Sequence, residues 1–240
     1  MKLLRNVVLI LVALVALVIA GGAWFLHQSD NDPRYANVVS IADAPAYQDA
    51  ALLERAWVLP VAALYRADGY EYQGNPSFCG PTSAANVAQS IGASVDQNAV
   101  LAGTSIKPFL GFVPGVTLDQ EAEIIRTATR QPVEVLRDLD LETFRTHLRQ
   151  SNDPAFRYVI NFNRAPLWGS GHGHISPILG YLEAEDLVFV GDVNDDFQPF
   201  LVSTDRLLEA MNTADTSTGK PRGLLRIGPI ERATRPQSAL

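Results

Sequence analysis

Cys79 is the only cysteine among 240 residues, and Gly80 and Pro81 follow it directly in NPSFCGPTSAAN. A lone thiol closes no internal disulfide; it is a small core residue, a reactive group or an intermolecular link. Pro is favoured in the first turn of a helix, where its missing N–H had no intrahelical partner. A helix starting near Gly80 or Pro81 puts Cys79 at its N-terminal end. Unpaired N–H groups and the helix dipole favour the thiolate there, and the same N–H groups can donate to an oxyanion formed when sulfur attacks a carbonyl. The chemistry is that of a nucleophile; the bland alternative is a packed cysteine.

A thiolate nucleophile needs a base, and the base needs an orienting partner. The chain has four histidines. His27 borders an apolar run and His147 lies in a charged helical pattern that reads as solvated. His172 and His174 stand in GSGHGHISP, where glycines let other groups approach. Asp192 ends the strand expected to pair with that of His174, and could accept its Nδ1–H. Gln73, six residues before the thiol, is a candidate side-chain donor to an oxyanion. The order Gln, Cys, His, Asp is similar to that of papain-like folds. A metal reading competes: His172-x-His174 with Cys79 and Asp192 would make four ligands, but no second spaced His/Cys pair supports it.

These residues need elements to hold them. Apolar spacing predicts helices over 48–58, from about 80 to 91 with Gly92 as its stop, 118–130 after the start signal TLDQE, 139–150 and 204–212. Strands are predicted at 158–162, 174–182, 187–193 and 223–229. The short loop 183–186 makes 174–182 and 187–193 an antiparallel hairpin. His174 and Asp192 share a face if paired residues sum to an even number; an odd sum separates them unless a bulge intervenes. Helices first, then a mainly antiparallel sheet, is an α+β arrangement.

The first thirty residues read differently. Lys2 and Arg5 precede an uncharged apolar run from Val7 to Leu26, 20 residues, long enough to span a bilayer and long for a cleaved signal core. The expectation is a transmembrane anchor or signal segment over 1–27. Charge before the run and little after it places the rest outside the cytoplasm, anchored in the inner membrane facing the periplasm, or periplasmic if the segment is cleaved. A linker (28–45), a catalytic domain (46–230) and a mobile tail (231–240) follow. Residues 27–240 carry 17 basic against 26 acidic side chains, net −9, with no basic stripe, which argues against nucleic-acid binding.

Five blocks in order, NPSFCGPTSAANVAQSIG, GVTLDQ, GSGHGHISPILGY, VFVGDVNDDFQPFLV and LLEAMNTADTSTGKPRG, resemble the catalytic domain of phytochelatin synthase over roughly 60–230. The resemblance implies a papain-like fold, with catalytic Cys79, His174 and Asp192, an oxyanion donor at Gln73, and substrate-binding Asn161 and Arg222. It implies γ-glutamylcysteinyl transfer from glutathione and γ-glutamylcysteine peptides through a thioester on Cys79. No cofactor is required; a heavy-metal ion would enter as a metal–glutathione thiolate. With one cysteine and no cysteine-rich C-terminal region, the chain is similar to the short bacterial members, in which hydrolysis is favoured over phytochelatin synthesis. The alternatives are a membrane-anchored papain-like peptidase and a non-catalytic metal- or thiol-binding protein.

Overall fold

The computed structural model describes residues 32–67, 69–113 and 115–230, with residues 6, 12, 16 and 17 besides. The rest of the apolar run, His27 and the tail 231–240 lie outside the described residues. Among the described residues no helix is long and apolar enough to cross a membrane.

The helices are α1 (Ala50–Trp57), α2 (Pro60–Ala67), α3 (Cys79–Gln89), α4 (Leu118–Thr129), α5 (Leu141–Gln150), α6 (Ala165–Trp168) and α7 (Thr204–Met211). The strands are β1 (Val133–Leu136), β2 (Arg157–Asn163), β3 (Gly173–Leu182), β4 (Leu187–Val190), β5 (Phe200–Ser203) and β6 (Gly223–Ile227). They form one sheet in the order β1-β6-β2-β3-β4-β5, every pair antiparallel. The α+β class read from the sequence is the class observed, with the cysteine at the start of a helix packed on the sheet.

Side-chain alternation gives the sheet two apolar faces. Val159, Ile175, Phe189 and Leu225 pack on one side against α3 and α4, through Ala84, Val87, Ala122 and Ile125. Ile160, Ile178, Val190 and Leu224 pack on the other against Phe144 and Leu148 of α5 and Leu207 and Met211 of α7. Each such fully buried side chain stabilises the fold by roughly 1.5–3 kcal/mol. Residues 33–35 and 41–43, in the stretch read as linker, form two 3-10 turns, and Ile41 is buried in the second core.

The start of α4 follows its sequence signal. Thr117 Oγ1 accepts from the Gln120 N–H at 3.2 Å and Gln120 Oε1 accepts from the Thr117 N–H at 3.0 Å, a reciprocal cap. Four elements escape the sequence pattern: α2, the single-turn α6, β1 and β5. A second helix, α2, restarts at Pro60, whose fixed φ suits a first turn. Strands β1 and β5 are four-residue edges, too short to show a period.

Candidate active site

Cys79 is the first residue of α3, and no side chain caps that helix. The helix is buried almost all round, from Gly80 to Ala88, because its small residues lie between α4 and β3. Ser83 fastens it: its Oγ donates to the Ile175 carbonyl at 3.0 Å and lies 2.7 Å from the Cys79 carbonyl. The thiol therefore meets the opening residues of β3, and His174 lines the same cavity as Cys79. Burial opposes the thiolate most strongly. The His174 ring, its charge, and the backbone at Ile175 and Gly80 together outweigh burial and hold the thiol below its ordinary value.

His174 and Asp192 meet at 2.9 Å. The ring atom facing the carboxylate is Nε2, not the Nδ1 expected from sequence. Burial and the Arg164 charge press the imidazole toward neutrality, but Asp192 and the thiol prevail and its pKa is raised. Asp192 is fully buried. Burial pushes its carboxyl up, yet His174, Arg164 and the Asn194 N–H, 2.8 Å away, keep it lowered and ionised.

Sequence reasoning missed Arg164. Its Nη2 donates to both Asp192 oxygens at 2.9 and 2.7 Å. Its guanidinium carbon lies 3.6 Å from the centroid of Phe197 and 5.1 Å from that of Trp168, so the cation is boxed by aromatic faces. Phe162 pairs with His174 across β2 and β3. Arg164 is two residues beyond Phe162, which carries it toward the same end of the sheet. No local signal marks an arginine in that position.

A cavity of about 360 Å³ opens at the thiol, lined by Cys79, His174, Val116, Asn161, Asp215 and Arg222 among others. Arg222 Nη1 donates to Asn161 Oδ1 at 2.8 Å and stands 3.8 Å from Asp215; its Nε is buried without a partner. Burial lowers the Arg222 pKa against the pull of Asp215 and Cys79. Gly173 makes room for it: a Cβ there would lie 2.6 Å from the guanidinium carbon. Asp215 lies inside the block NTADTSTGKPRG but was not singled out.

Gln73 is anchored beside the site. Its N–H donates to the carbonyl of Val193, next to Asp192, at 2.8 Å, and its side-chain oxygen is buried without a hydrogen-bond partner. His147 is not simply solvated: its Nδ1 lies 3.2 Å from the Tyr158 hydroxyl. The His172 carbonyl accepts from the Arg164 N–H at 3.0 Å. Among the described residues no three His, Cys, Asp or Glu side chains are grouped to hold a metal. One more acid lies close by: Glu121 on α4 is fully buried, with both carboxyl oxygens unpartnered and one against Gly80.

A family model described as Phytochelatin synthase matches residues 112–224, which include Asn161, His174, Asp192 and Arg222 but begin after Cys79. Glutathione gamma-glutamylcysteinyltransferase 3 of Lotus japonicus is 38% identical over 76 residues, covering 31% of this chain and 16% of that protein. Glutathione gamma-glutamylcysteinyltransferase 1 of Triticum aestivum is 34% identical over 87 residues, covering 35% and 17%. The matches thus span about a sixth of the length of these relatives. Among solved structures, a C39-like peptidase from Bacillus anthracis aligns at a TM-score of 0.48 and 16% identity, over 69% of this chain and 95% of that one. The peptidase domain of Streptococcus ComA aligns at 0.45 and 15%, over 67% and 97%.

Proposed function

We propose that this chain, whose residues 112–224 match the Phytochelatin synthase family model, is a glutathione γ-glutamylcysteinyltransferase whose nucleophile is Cys79. The observation that carries the reading is the grouping of Cys79, His174 and Asp192 at a cavity whose lining also holds Arg222 beside Asp215. The γ-glutamyl end of glutathione is a zwitterion. A guanidinium suits its α-carboxylate and the Asp215 carboxylate suits its ammonium, with Asn161 steadying the Arg222 fork. The cavity volume falls in the range of small-molecule sites, about 300–1,000 Å³.

In the proposed reaction the Cys79 thiolate attacks the carbonyl of the Cys–Gly bond. The oxyanion forms beside the start of α3, where the backbone N–H of Cys79 and the Gln73 amide are the candidate donors. The C–N bond then breaks. Glycine leaves with the proton carried by His174, and a γ-glutamylcysteinyl thioester remains on sulfur. Water, or the amine of a second glutathione, attacks that thioester while His174 takes its proton back. The first path is hydrolysis, the second extends the peptide; we favour hydrolysis for this single-cysteine chain. A thiophilic metal would enter as a glutathione thiolate complex, as substrate. We also propose that the Val7–Leu26 run holds the domain outside the cytoplasm.

The test is glutathione turnover by the purified chain with products resolved, with and without such a metal. Glycine release, its loss in Cys79→Ala, and a γ-glutamylcysteinyl adduct on Cys79 are expected. An intact thiol with neither glycine release nor adduct would sink the proposal. Preference for ordinary peptides over glutathione would support a papain-like peptidase, and stoichiometric metal binding without turnover would support a binder.

A further inference from the structure

Gln97 is a buried residue in an exposed loop. Asp96, Asn98 and Ala99 around it are exposed, whereas Gln97 is 9% exposed. Its side-chain amide is fully used. Oε1 accepts from the Gly74 N–H at 2.7 Å and from the Thr82 hydroxyl at 3.1 Å. Nε2 donates to Glu71 Oε1 at 2.7 Å and to the Tyr72 carbonyl at 3.1 Å. An amide of this kind makes two donations and accepts at two lone pairs. The reverse orientation would set its NH₂ against the Gly74 N–H and its oxygen against the Glu71 carboxylate, so the network fixes which end is which.

The partners of this amide converge on one residue. Tyr72 and Gly74 flank Gln73, so Gln97 holds the main chain at both neighbours of the candidate oxyanion donor. The Gln73 N–H points the other way and donates to the Val193 carbonyl, next to Asp192, at 2.8 Å. That alternation is the one an extended segment shows between two pairing partners. The side-chain oxygen of Gln73 has no hydrogen-bond partner, so its place is set through the main chain.

The other end of the network is the helix that carries the sulfur. Thr82 lies three residues after Cys79 in α3. Further along the same helix, Asn86 Oδ1 accepts from the Glu71 N–H and its Nδ2 donates to the Glu71 carbonyl, both at 2.9 Å. Gln89 Nε2 donates to Glu71 Oε2 at 3.0 Å. The segment 71–74 is thus referenced to α3 on one side and to the Asp192 segment on the other, and Gln97 is the side chain that grips it on both sides of Gln73.

We propose that Gln97 is a positioning residue for the oxyanion site: by clamping Tyr72 and Gly74 to the first turn of α3, it sets the Gln73 amide relative to Cys79. An oxyanion donor acts only if it is placed before the charge develops, and a small displacement forfeits much of its effect. Gln97 touches neither substrate nor sulfur in this role. The inference rests on the nucleophile and oxyanion roles proposed above for Cys79 and Gln73, and not on the identity of the substrate.

The test compares two reactions of the single thiol in the purified full chain. With p-nitrophenyl acetate the thiolate adds to the ester carbonyl, an oxyanion forms, and p-nitrophenolate leaves with the C–O electron pair to give an acetyl thioester. With iodoacetamide the thiolate displaces iodide and no oxyanion forms. The Cys79→Ala chain gives the background of each. Gln97→Met should lower the ratio of acylation to alkylation by roughly 10–100-fold, the scale of a misplaced catalytic group. In the Gln73→Ala background the same substitution should lower it no further, because the two residues act as one unit. Thr82→Val, which removes one hydroxyl at nearly constant volume, should lower the ratio several-fold and is readable should Gln97→Met not fold. A Gln97 that only closes its loop would lower the denaturant midpoint and leave the ratio where it was. An unchanged ratio in either folded variant overturns the proposal, as do additive losses with Gln73→Ala. A parent thiol that is alkylated but never acylated overturns the oxyanion site and Gln97's part in it together. Glycine release from glutathione is read separately in the parent and decides the substrate; the ratio decides Gln97 whichever way that falls.

Discussion

His174 meets Asp192 because Leu179 is an extra residue in β3. Near the loop, Leu182 pairs with Leu187, Tyr181 with Val188 and Gly180 with Phe189, a register that puts His174 and Asp192 on opposite faces. Past Leu179 the register shifts and Ile178 pairs with Val190. The bulge flips the parity, and the two side chains come within 2.9 Å.

Gly191 lets the bulge sit where it does. A Cβ there would lie 2.8 Å from Leu179 Cγ and 2.6 Å from the Tyr70 hydroxyl. Gly191→Ala should therefore destabilise the fold by about 1–3 kcal/mol, the usual cost of overpacking, and reduce turnover by moving Asp192. Denaturant midpoint and glutathione kinetics check both. An unchanged midpoint with unchanged turnover would show that the contact is slack.

Asp192 and Arg164 act on His174 in opposite senses. Asp192 raises the imidazole pKa and Arg164 lowers it. Asp192→Asn should cut turnover by roughly 100-fold or more, the scale of acid–base catalysis. It should also move the alkaline limb of the pH–rate profile, where imidazolium is lost, to lower pH. Arg164→Gln should move that limb to higher pH. It should also cost stability, roughly 3–5 kcal/mol, by leaving a buried carboxylate short of its partner. Shifts of the same sign in both variants would refute this assignment.

Glu121 makes a pH prediction of its own. Burial, and then the Cys79 charge, raise its carboxyl well above the ordinary 4.5, so the folded state keeps a proton that the unfolded chain releases. Its contribution is intact below about 4.5 and is lost as pH rises toward the folded value. Glu121→Gln should match the parent near pH 4 and become increasingly more stable as pH rises, by about 1–3 kcal/mol for a buried unsatisfied group. Parallel stability curves from acid to neutral pH would show that Glu121 has a partner in solution.

Arg222→Lys keeps the charge and loses the fork that holds Asn161 Oδ1 at 2.8 Å. The expected result is a drop of roughly 10–100-fold in kcat/KM for glutathione, the worth of a charge-assisted hydrogen bond of about 1.5–3 kcal/mol. Alkylation of Cys79 by iodoacetamide should stay close to the parent rate. Equal loss of alkylation would mean that Arg222 supports the thiolate rather than the substrate.

The sequence by itself determined the longer elements and the chemical types. The Cys-Gly-Pro start of α3, the Thr117–Gln120 cap of α4 and the hairpin around 183–186 are local. Each depends on residues within a turn or two, so periodicity and capping reveal them. The candidate nucleophile, base and carboxylate were legible for the same reason, as was the resemblance carried by five ordered blocks. Tertiary structure decided what depends on partners distant in the chain. The Leu179 bulge fixes which face Asp192 uses, yet nothing near 179 announces it, because the clash it avoids is with Gly191 and the Tyr70 segment. Arg164, 28 residues before Asp192, becomes its partner only when β2 pairs with β3. Glu121 looks like an ordinary exposed helix residue until α4 packs against Gly80. Local steric and capping energies can be read along a chain, but register, burial and long-range charge pairing exist only once the sheet and helices close on one another.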